Sequence, residues 1–285
     1  MSIKFDLKKA LPPFGLQNTG AICYLNSFLQ VLSACTSLKD IPEETFKKSL
    51  TGTAIYNFIT NPKPDSSRDV LIALVNELRQ KNREVRFGRG QESASEAFVL
   101  IMDMMDTITD SDHLINNLFK SKTQCTTYCP ECNKSISIQI DESILLPLVY
   151  FDNFKTPITT PEQFTKALRR HVSTVDGISC PDCKGKILRI YDIGYVPEIL
   201  FCTFNAYEGK KYRYYPEEIE FPSNNSVLKY RLVGQIEHAG GLAGGHYWAN
   251  RLANDGFVYE CNDTGISRSK FEPSALTYVI VYHLA

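Results

Sequence analysis

The chain lacks an excess of charge of either sign. Across 285 residues, 31 Lys and Arg face 32 Asp and Glu, a formal net charge of −1. A domain that grips nucleic acid through its phosphates carries a strong basic excess, so no nucleic-acid partner is expected. No apolar run reaches membrane-spanning length. The start, Met1-Ser2-Ile3-Lys4-Phe5-Asp6, lacks the apolar stretch of a secretory leader. An intracellular protein, cytoplasmic or nuclear and without membrane contact, is therefore expected, and a monomer is the simplest state. There is no internal repeat and no low-complexity tract. A hydrophobic content of 43% and a charged content of 22% are ordinary for a globular chain with a real core, either one large domain or two small ones.

Cysteine is present in an odd number, nine. In a reducing compartment these are thiols, metal ligands or nucleophiles rather than disulfides. Four of them form two knuckles, Cys129-Pro130-Glu131-Cys132 and Cys180-Pro181-Asp182-Cys183. Paired C-x-x-C knuckles read as a tetrahedral zinc site with four cysteine ligands. The interval of 47 residues between them, 133 to 179, exceeds ordinary ribbon spacing and must hold inserted structure. Four protein ligands leave no open position, so such a zinc is structural. The alternatives are four reduced thiols or two redox pairs. The surroundings lack the βαβ pattern of a thioredoxin-like site. Cys125 is left outside the cluster.

The stretch from Gly15 to Gln30 changes character in its middle. Its first half is short, polar and glycine-containing, as a loop is. From Cys23 onward, Leu25, Phe28, Leu29 and Leu32 recur at helical spacing, which predicts a helix to about Ser33. A cysteine at a helix start sees unpaired N–H groups and the positive end of the dipole, which favour a thiolate. An isolated cysteine there is ordinarily a small buried hydrophobe; the flanking residues argue for a nucleophile.

Elsewhere in the first 120 residues helices dominate. Residues 40–66 read as mixed, with turns at Asn61-Pro62 and Pro64-Asp65. A helix capped by Ser66 or Ser67 carries Val70, Leu71, Leu74, Val75 and Leu78. Ser93-Ala94-Ser95-Glu96 reads as a capping box opening a helix with Phe98, Ile101, Met102, Met105 and Ile108 on one face. From Lys120 the character shifts. Strict alternation of Ile136, Ile138 and Ile140 predicts a half-buried strand, and 144–149 a second extended run. Thr160-Pro161-Glu162-Gln163 starts a short helix ending by 171–174. Strands are expected at 187–194, 199–207, 228–237, 246–252, 256–261 and 277–283, with a flexible glycine turn at 240–245. Helices first and antiparallel strands later make an α+β fold.

Cysteine hydrolysis needs a base, a group to orient it and oxyanion donors. His246 follows Gly244-Gly245 at the start of a strand, where backbone can approach a substrate closely; by itself it equally ends a turn. A hairpin at 254–256 returns Asn262 and Asp263 toward it, and either can hold an imidazole, though the pair also suits a plain turn. Asn18, five residues before Cys23, offers an amide for an oxyanion, or a support for its own loop.

These residues fall into longer patterns. Gly15-Leu16-x-Asn18-x-Gly20-Ala21-x-Cys23-Tyr24-Leu25-Asn26-Ser27-x-Leu29-Gln30 resembles the cysteine box of the ubiquitin-specific proteases. Tyr230-x-Leu232, His238-x-Gly240, Gly245-His246-Tyr247 and Asn262-Asp263 resemble their histidine box. Residues 91–96 resemble their QQD-type box, and the two C-x-x-C pairs stand where that family carries its zinc. Val196-Pro197-Glu198-Ile199-Leu200 and Tyr278-Val279-Ile280-Val281-Tyr282 resemble the strand after the second knuckle and the closing strand.

The resemblance covers about 14–283. It implies a papain-like cysteine protease fold in one catalytic domain, 1–285: a helical thumb over 1–122, zinc-ribbon fingers over 123–195 and an antiparallel β palm over 196–285. It implies ubiquitin or ubiquitinated proteins as partners and hydrolysis after ubiquitin's C-terminal glycine. By position, Cys23 is the nucleophile, His246 the general base, Asn262 its orienting residue and Asn18 the oxyanion donor. Asp263 is the acidic neighbour and the alternative to Asn262 as third member. Gln91, Glu96, Gly244, Gly245 and Tyr247 fall at substrate-binding positions. A protease for a ubiquitin-like modifier and an inactive ubiquitin-binding module are the alternatives. Two departures stand out. Ile22 occupies a place where a small hydroxylated residue is common. Ser93 replaces the aspartate that helps hold ubiquitin's basic tail, with Glu92 and Glu96 nearby.

Overall fold

The computed structural model describes residues 5–81, 93–106, 114–148, 157–204, 212–223, 226–241 and 244–285. Gln91, Glu92, Ile108 and Val149 lie outside the described residues. No helix among those described is long and apolar enough to cross a membrane.

Helices come first: α1 (Cys23–Leu32), α2 (Glu43–Phe46), α3 (Leu50–Thr60), α4 (Ser66–Gln80), α5 (Ala94–Asp106) and α6 (Leu114–Phe119). Every residue of α1 is buried, which removes it from the surface-helix class and makes it the axis of the helical half. The expected faces of α4 and α5 point inward: Val70, Leu74 and Leu78 on one, Phe98, Ile101, Met102 and Met105 on the other. Two sequence readings change. Residues 43–60 hold two helices, α3 being capped by Ser49, whose hydroxyl accepts from Gly52 N–H. At α4 the N-cap is Asp65, without a side-chain cap, while Ser66 Oγ accepts from Lys63 N–H at 2.9 Å.

Two sheets follow. The first has the order β2-β1-β5-β4: β1 (Ser121–Cys129), β2 (Lys134–Ser143), β4 (Arg170–Ser179) and β5 (Lys186–Tyr195). Between them run the two-residue β3 (Leu146–Pro147) and α7 (Pro161–Arg169). The latter has the expected capping box: Gln163 N–H donates to Thr160 Oγ1 at 3.3 Å and Thr160 N–H to Gln163 Oε1 at 3.2 Å. The chain turns into β4 at Arg170, so the expected helical stretch to 171–174 is strand. The expected half-buried face of β2 is also corrected. Ile136, Ile138 and Ile140 are 38%, 62% and 65% exposed. Alternation predicts one buried face, but β2 is the edge of a sheet with no second layer over that face among the described residues.

The second sheet has the order β11-β10-β9-β8-β12-β6-β3, with β7 also paired to β8. Its strands are β6 (Ile199–Thr203), β7 (Glu218–Ser223), β8 (Ser226–Gly241), β9 (Gly244–Leu252), β10 (Val258–Asn262), β11 (Gly265–Ser269) and β12 (Thr277–Leu284). β12 is buried at all eight positions, as a central strand covered on both faces must be. Helix α1 lies on β8 and β9 so closely that a Cβ at Gly234 would come within 2.8 Å of Val31 Cβ. Phe28, Phe98, Phe119 and Phe201 join α1, α5, α6 and β6 in one aromatic cluster, with Phe98 stacked on Phe201 at 4.4 Å. Aromatic pairs of this kind add roughly 0.5–1.5 kcal/mol beyond their burial.

Candidate active site and cysteine cluster

The loop before α1 is shaped by Asn18. Its Oδ1 accepts from Gly20 N–H and Ile22 N–H, both at 3.2 Å, and Ala21 takes a left-handed φ of 51°. Ile22 is the N-cap and provides no side-chain cap. An apolar residue there leaves the first N–H groups of α1 facing the cysteine rather than a hydroxyl of their own.

Three strands deliver the partners. β8 and β9 remain paired through Gly240–Gly245 and Gly241–Gly244, so these four glycines of the expected turn at 240–245 are strand; residues 242–243 lie outside the described residues. Gly245 is required by crowding: a Cβ there would meet His238 Nε2 at 2.3 Å and Ala239 O at 2.6 Å. β10 pairs with β9 and ends at Asn262; Asp263 then turns left-handed with φ 52°. This turn docks on the cysteine loop. Leu16 N–H donates to Asp263 O at 2.9 Å, and a Cβ on Gly15 would sit 2.6 Å from Thr264 O.

Residues more than 200 positions apart thereby meet. His246 Nε2–H donates to Asn262 Oδ1 at 2.7 Å, leaving Nδ1 as the free ring nitrogen. Cys23 is buried, and the Tyr247 N–H, the amide that links His246 to Tyr247, bonds to its thiol. The Asp263 carboxylate bonds neither imidazole nor thiol. Its Oδ2 accepts from Asn18 Nδ2 at 3.0 Å and its Oδ1 from Asn26 Nδ2 at 2.7 Å. One Asn18 N–H is thus committed to Asp263 and the second remains for a ligand.

Burial pushes the Cys23 thiol up, and the Asp263 charge adds to the rise. The N–H groups of Tyr247, Tyr24 and Cys23 pull it down without overcoming burial. The helix start thus acts toward the thiolate as expected, and burial outweighs it.

The remaining expected residues are placed as follows. Glu96 is exposed on the first turn of α5. Gly244 and Gly245 are half-buried in the β8–β9 ladder. The Tyr247 ring is buried between His238 at 4.3 Å and Tyr278 at 5.7 Å, so it is the Tyr247 backbone that reaches the site. Ser93 Oγ bonds Ser95 Oγ at 2.7 Å and Tyr278 OH at 2.8 Å.

At the tip of the first sheet, the four Sγ atoms of Cys129, Cys132, Cys180 and Cys183 lie within 4.8 Å of one another. They form a group able to hold a metal ion. Asn133 and Lys184, each just after a knuckle's second cysteine, are both left-handed, at φ 55° and 63°. The two turns therefore repeat one another. Cys132 N–H points to Cys129 Sγ at 3.5 Å and Gly185 N–H to Cys183 Sγ at 3.4 Å, donors that suit thiolates. Among the described residues, Ile187 and Val175 are the aliphatic side chains packed against this group, a small core.

The Ubiquitin carboxyl-terminal hydrolase family matches residues 14–282. The chain belongs to that family. Ubiquitin carboxyl-terminal hydrolase 42 of Homo sapiens is 26% identical over 313 aligned residues, which cover 94% of this chain and 22% of the relative. The chain thus spans about a fifth of that hydrolase's length. Among solved structures, the SAGA DUB module of Ubp8, Sgf11, Sus1 and Sgf73 bound to monoubiquitin matches with a TM-score of 0.75 at 14% identity, over all of this chain and 72% of that one. The same module bound to ubiquitin aldehyde matches at 0.71 and 16%, over 98% and 71%. A yeast SAGA DUB module matches at 0.74 and 15%, over 100% and 71%. At these identities the likeness establishes the hydrolase fold: helical thumb, β palm and fingers bearing the cysteine cluster.

Within this hydrolase domain two contacts are not legible in the sequence. One is Asn26, one of three buried polar side chains on α1 with Ser27 and Gln30, held by Asp263. The other is Arg251 on β9, fully buried, with Nε on Gln30 Oε1 at 2.8 Å, Nη1 on Leu11 O at 2.9 Å and Nη2 on Pro12 O at 2.6 Å. It fastens α1 and the lead into the cysteine loop to the strand of His246. A polar residue inside an apolar stripe is the available signal in both cases.

Proposed function

We propose that this chain is a deubiquitinating thiol protease that hydrolyses the peptide or isopeptide bond after ubiquitin's C-terminal glycine. The observation that carries this reading is the His246 Nε2–Asn262 Oδ1 hydrogen bond beside the Tyr247 amide that touches Cys23. Asn262 fixes the tautomer with Nε2 protonated, which leaves Nδ1 basic. Nδ1 takes the thiol proton, and the thiolate attacks the glycine carbonyl. The second N–H of Asn18 and the N–H groups at the start of α1 receive the oxyanion. The imidazolium then protonates the leaving lysine amine, and neutral His246 activates water against the thioester. Asp263 acts as a brace for Asn18 and Asn26 rather than as third member, the role taken by Asn262.

Glu96 and the glycine ladder at 244–245 border the approach of the tail. The exposed Ile136, Ile138 and Ile140 face offers apolar contact area to a protein-sized substrate. Ser93 in place of a carboxylate favours a second reading, a protease for a ubiquitin-like modifier with a less basic tail. Parallel electrophilic probes built on ubiquitin and on its relatives separate the two.

For the cysteine cluster the ion is zinc. Four sulfurs about 2.3 Å from a tetrahedral zinc stand about 3.8 Å apart. The Cys129–Cys183 and Cys132–Cys180 separations are 3.6 and 3.8 Å. Zinc bound there joins the two turns and takes no part in hydrolysis.

The test is incubation with ubiquitin carrying a C-terminal electrophile, followed by mass mapping. Modification of Cys23, absent in Cys23→Ala while ubiquitin binding persists, supports the reading. Turnover of a ubiquitin–fluorophore substrate by Cys23→Ala at the wild-type rate overturns the assignment.

A further inference from the structure

The third member of the site is a neutral amide. Asn262 orients His246 but brings no negative charge to an imidazolium, and the adjoining carboxylate, Asp263, is spent on Asn18 and Asn26. Some other group must favour the charged ring. The strand carrying His246 has one candidate two residues on, on the same face. The Trp248 indole lies nearly parallel to the imidazole, with ring centroids 6.1 Å apart and planes 21° apart. The β9–β10 ladder ends at Ala249–Cys261, so the next register position sets Asn262 beside Trp248. The indole therefore flanks both ends of the His246–Asn262 hydrogen bond. It is half-buried, which limits competition from water.

We propose that Trp248 is a positioning residue for His246. Its π face holds the imidazole parallel in the plane that Asn262 sets, and it favours the imidazolium by cation–π attraction. The idea rests on the reading of His246 as the base. Among the described residues, the other titratable groups disposed around this end of the sheet are Cys23 on α1, Glu237 on β8, Glu260 on β10 and Asp263. Glu237 is engaged by Ser274, Thr277 and Gln235. His238 belongs to the opposite face of β8, against Tyr247.

Trp248 is the chain's single tryptophan, so its fluorescence reports this pair alone. An imidazolium quenches an adjacent indole more strongly than a neutral imidazole does. In the wild-type chain, emission is expected to fall on acidification in one step that His246→Gln abolishes. In Trp248→Leu, the acid limb of kcat/KM for a ubiquitin–fluorophore substrate is expected about half a pH unit lower, the shift an exposed cation–π contact gives. kcat should drop about threefold at unchanged KM, and Trp248→Phe should recover most of it.

An emission titration that persists in His246→Gln overturns the proposal, as does no titration in the wild type. A Trp248→Leu loss confined to KM also overturns it and makes Trp248 a substrate contact. The fluorescence measurement needs no turnover and no Trp248 variant. If the pair titrates as described while Cys23 ignores a ubiquitin electrophile, it is the protease reading that fails.

Discussion

Replacing Asp263 by Asn separates two roles that one carboxylate combines. The substitution is isosteric, and Asn tolerates the left-handed φ of 52° found there. The new amide still accepts from Asn26 Nδ2 through one oxygen. Its NH2 group then faces the Asn18 NH2, so the 3.0 Å bond that held Asn18 becomes a donor–donor clash. A hydrogen bond to a charged group contributes roughly 1.5–3 kcal/mol. Asn18 is exposed, so the lower end applies, and about 1.4 kcal/mol corresponds to about tenfold in rate. A tenfold fall in kcat/KM on ubiquitin–fluorophore substrate is therefore expected. The thiol moves the other way. Asp263 raises the Cys23 pKa, so its neutralisation lowers it, and alkylation of Cys23 by iodoacetamide near neutral pH should quicken. Faster alkylation with slower hydrolysis is the expected signature. If both rates fall together, Asp263 is supporting thiolate formation and the brace assignment is wrong.

Arg251→Met leaves Leu11 O, Gln30 Oε1 and the partly exposed Pro12 O without their donor; a loss of about 2–4 kcal/mol in urea unfolding is expected. Chelation of the metal should lower the melting temperature and open the fingers tip to proteolysis between 129 and 183, while purified protein should hold one equivalent of zinc; less than half an equivalent refutes the four-cysteine zinc reading. His283 is buried, donates Nδ1–H to Leu284 O and accepts at Nε2 from Ser37, and burial lowers its pKa to about 4. The unfolded chain then binds a proton the native one does not, so stability is full above about pH 6.5 and falls by about 3 kcal/mol on the way to pH 4; His283→Gln should flatten that part of the profile. Ser93→Asp keeps an acceptor for Tyr278 OH and adds charge beside the tail path; KM should fall several-fold at low salt and the gain vanish at high salt.

Legibility follows range. The start of α1, the faces of α4 and α5 and the Thr160–Gln163 box are local patterns, and the chain adopts them. Strands β1, β4 and β11 carry little alternation and exist because neighbours pair with them, so the sequence does not announce them; β7 does alternate, with Ile219 and Phe221 buried between exposed Glu218 and Glu220. The isoleucine alternation of β2 marks a strand correctly and its burial wrongly, because period shows which residues share a face and not whether anything covers it.

The same division holds at the site. Sequence alone determined the cysteine loop, the position of His246, the Asn262–Asp263 pair and the two cysteine knuckles, because each is a short run whose chemistry is written in adjacent residues. Only the tertiary structure decided which of Asn262 and Asp263 meets the imidazole. The β9–β10 register aims Asn262 at Nε2, and the left-handed turn at Asp263 swings its carboxylate to Asn18 and Asn26. It also decided the state of the thiol. Burial is a property of everything packed around Cys23, and it outweighs the helix start that the sequence made visible.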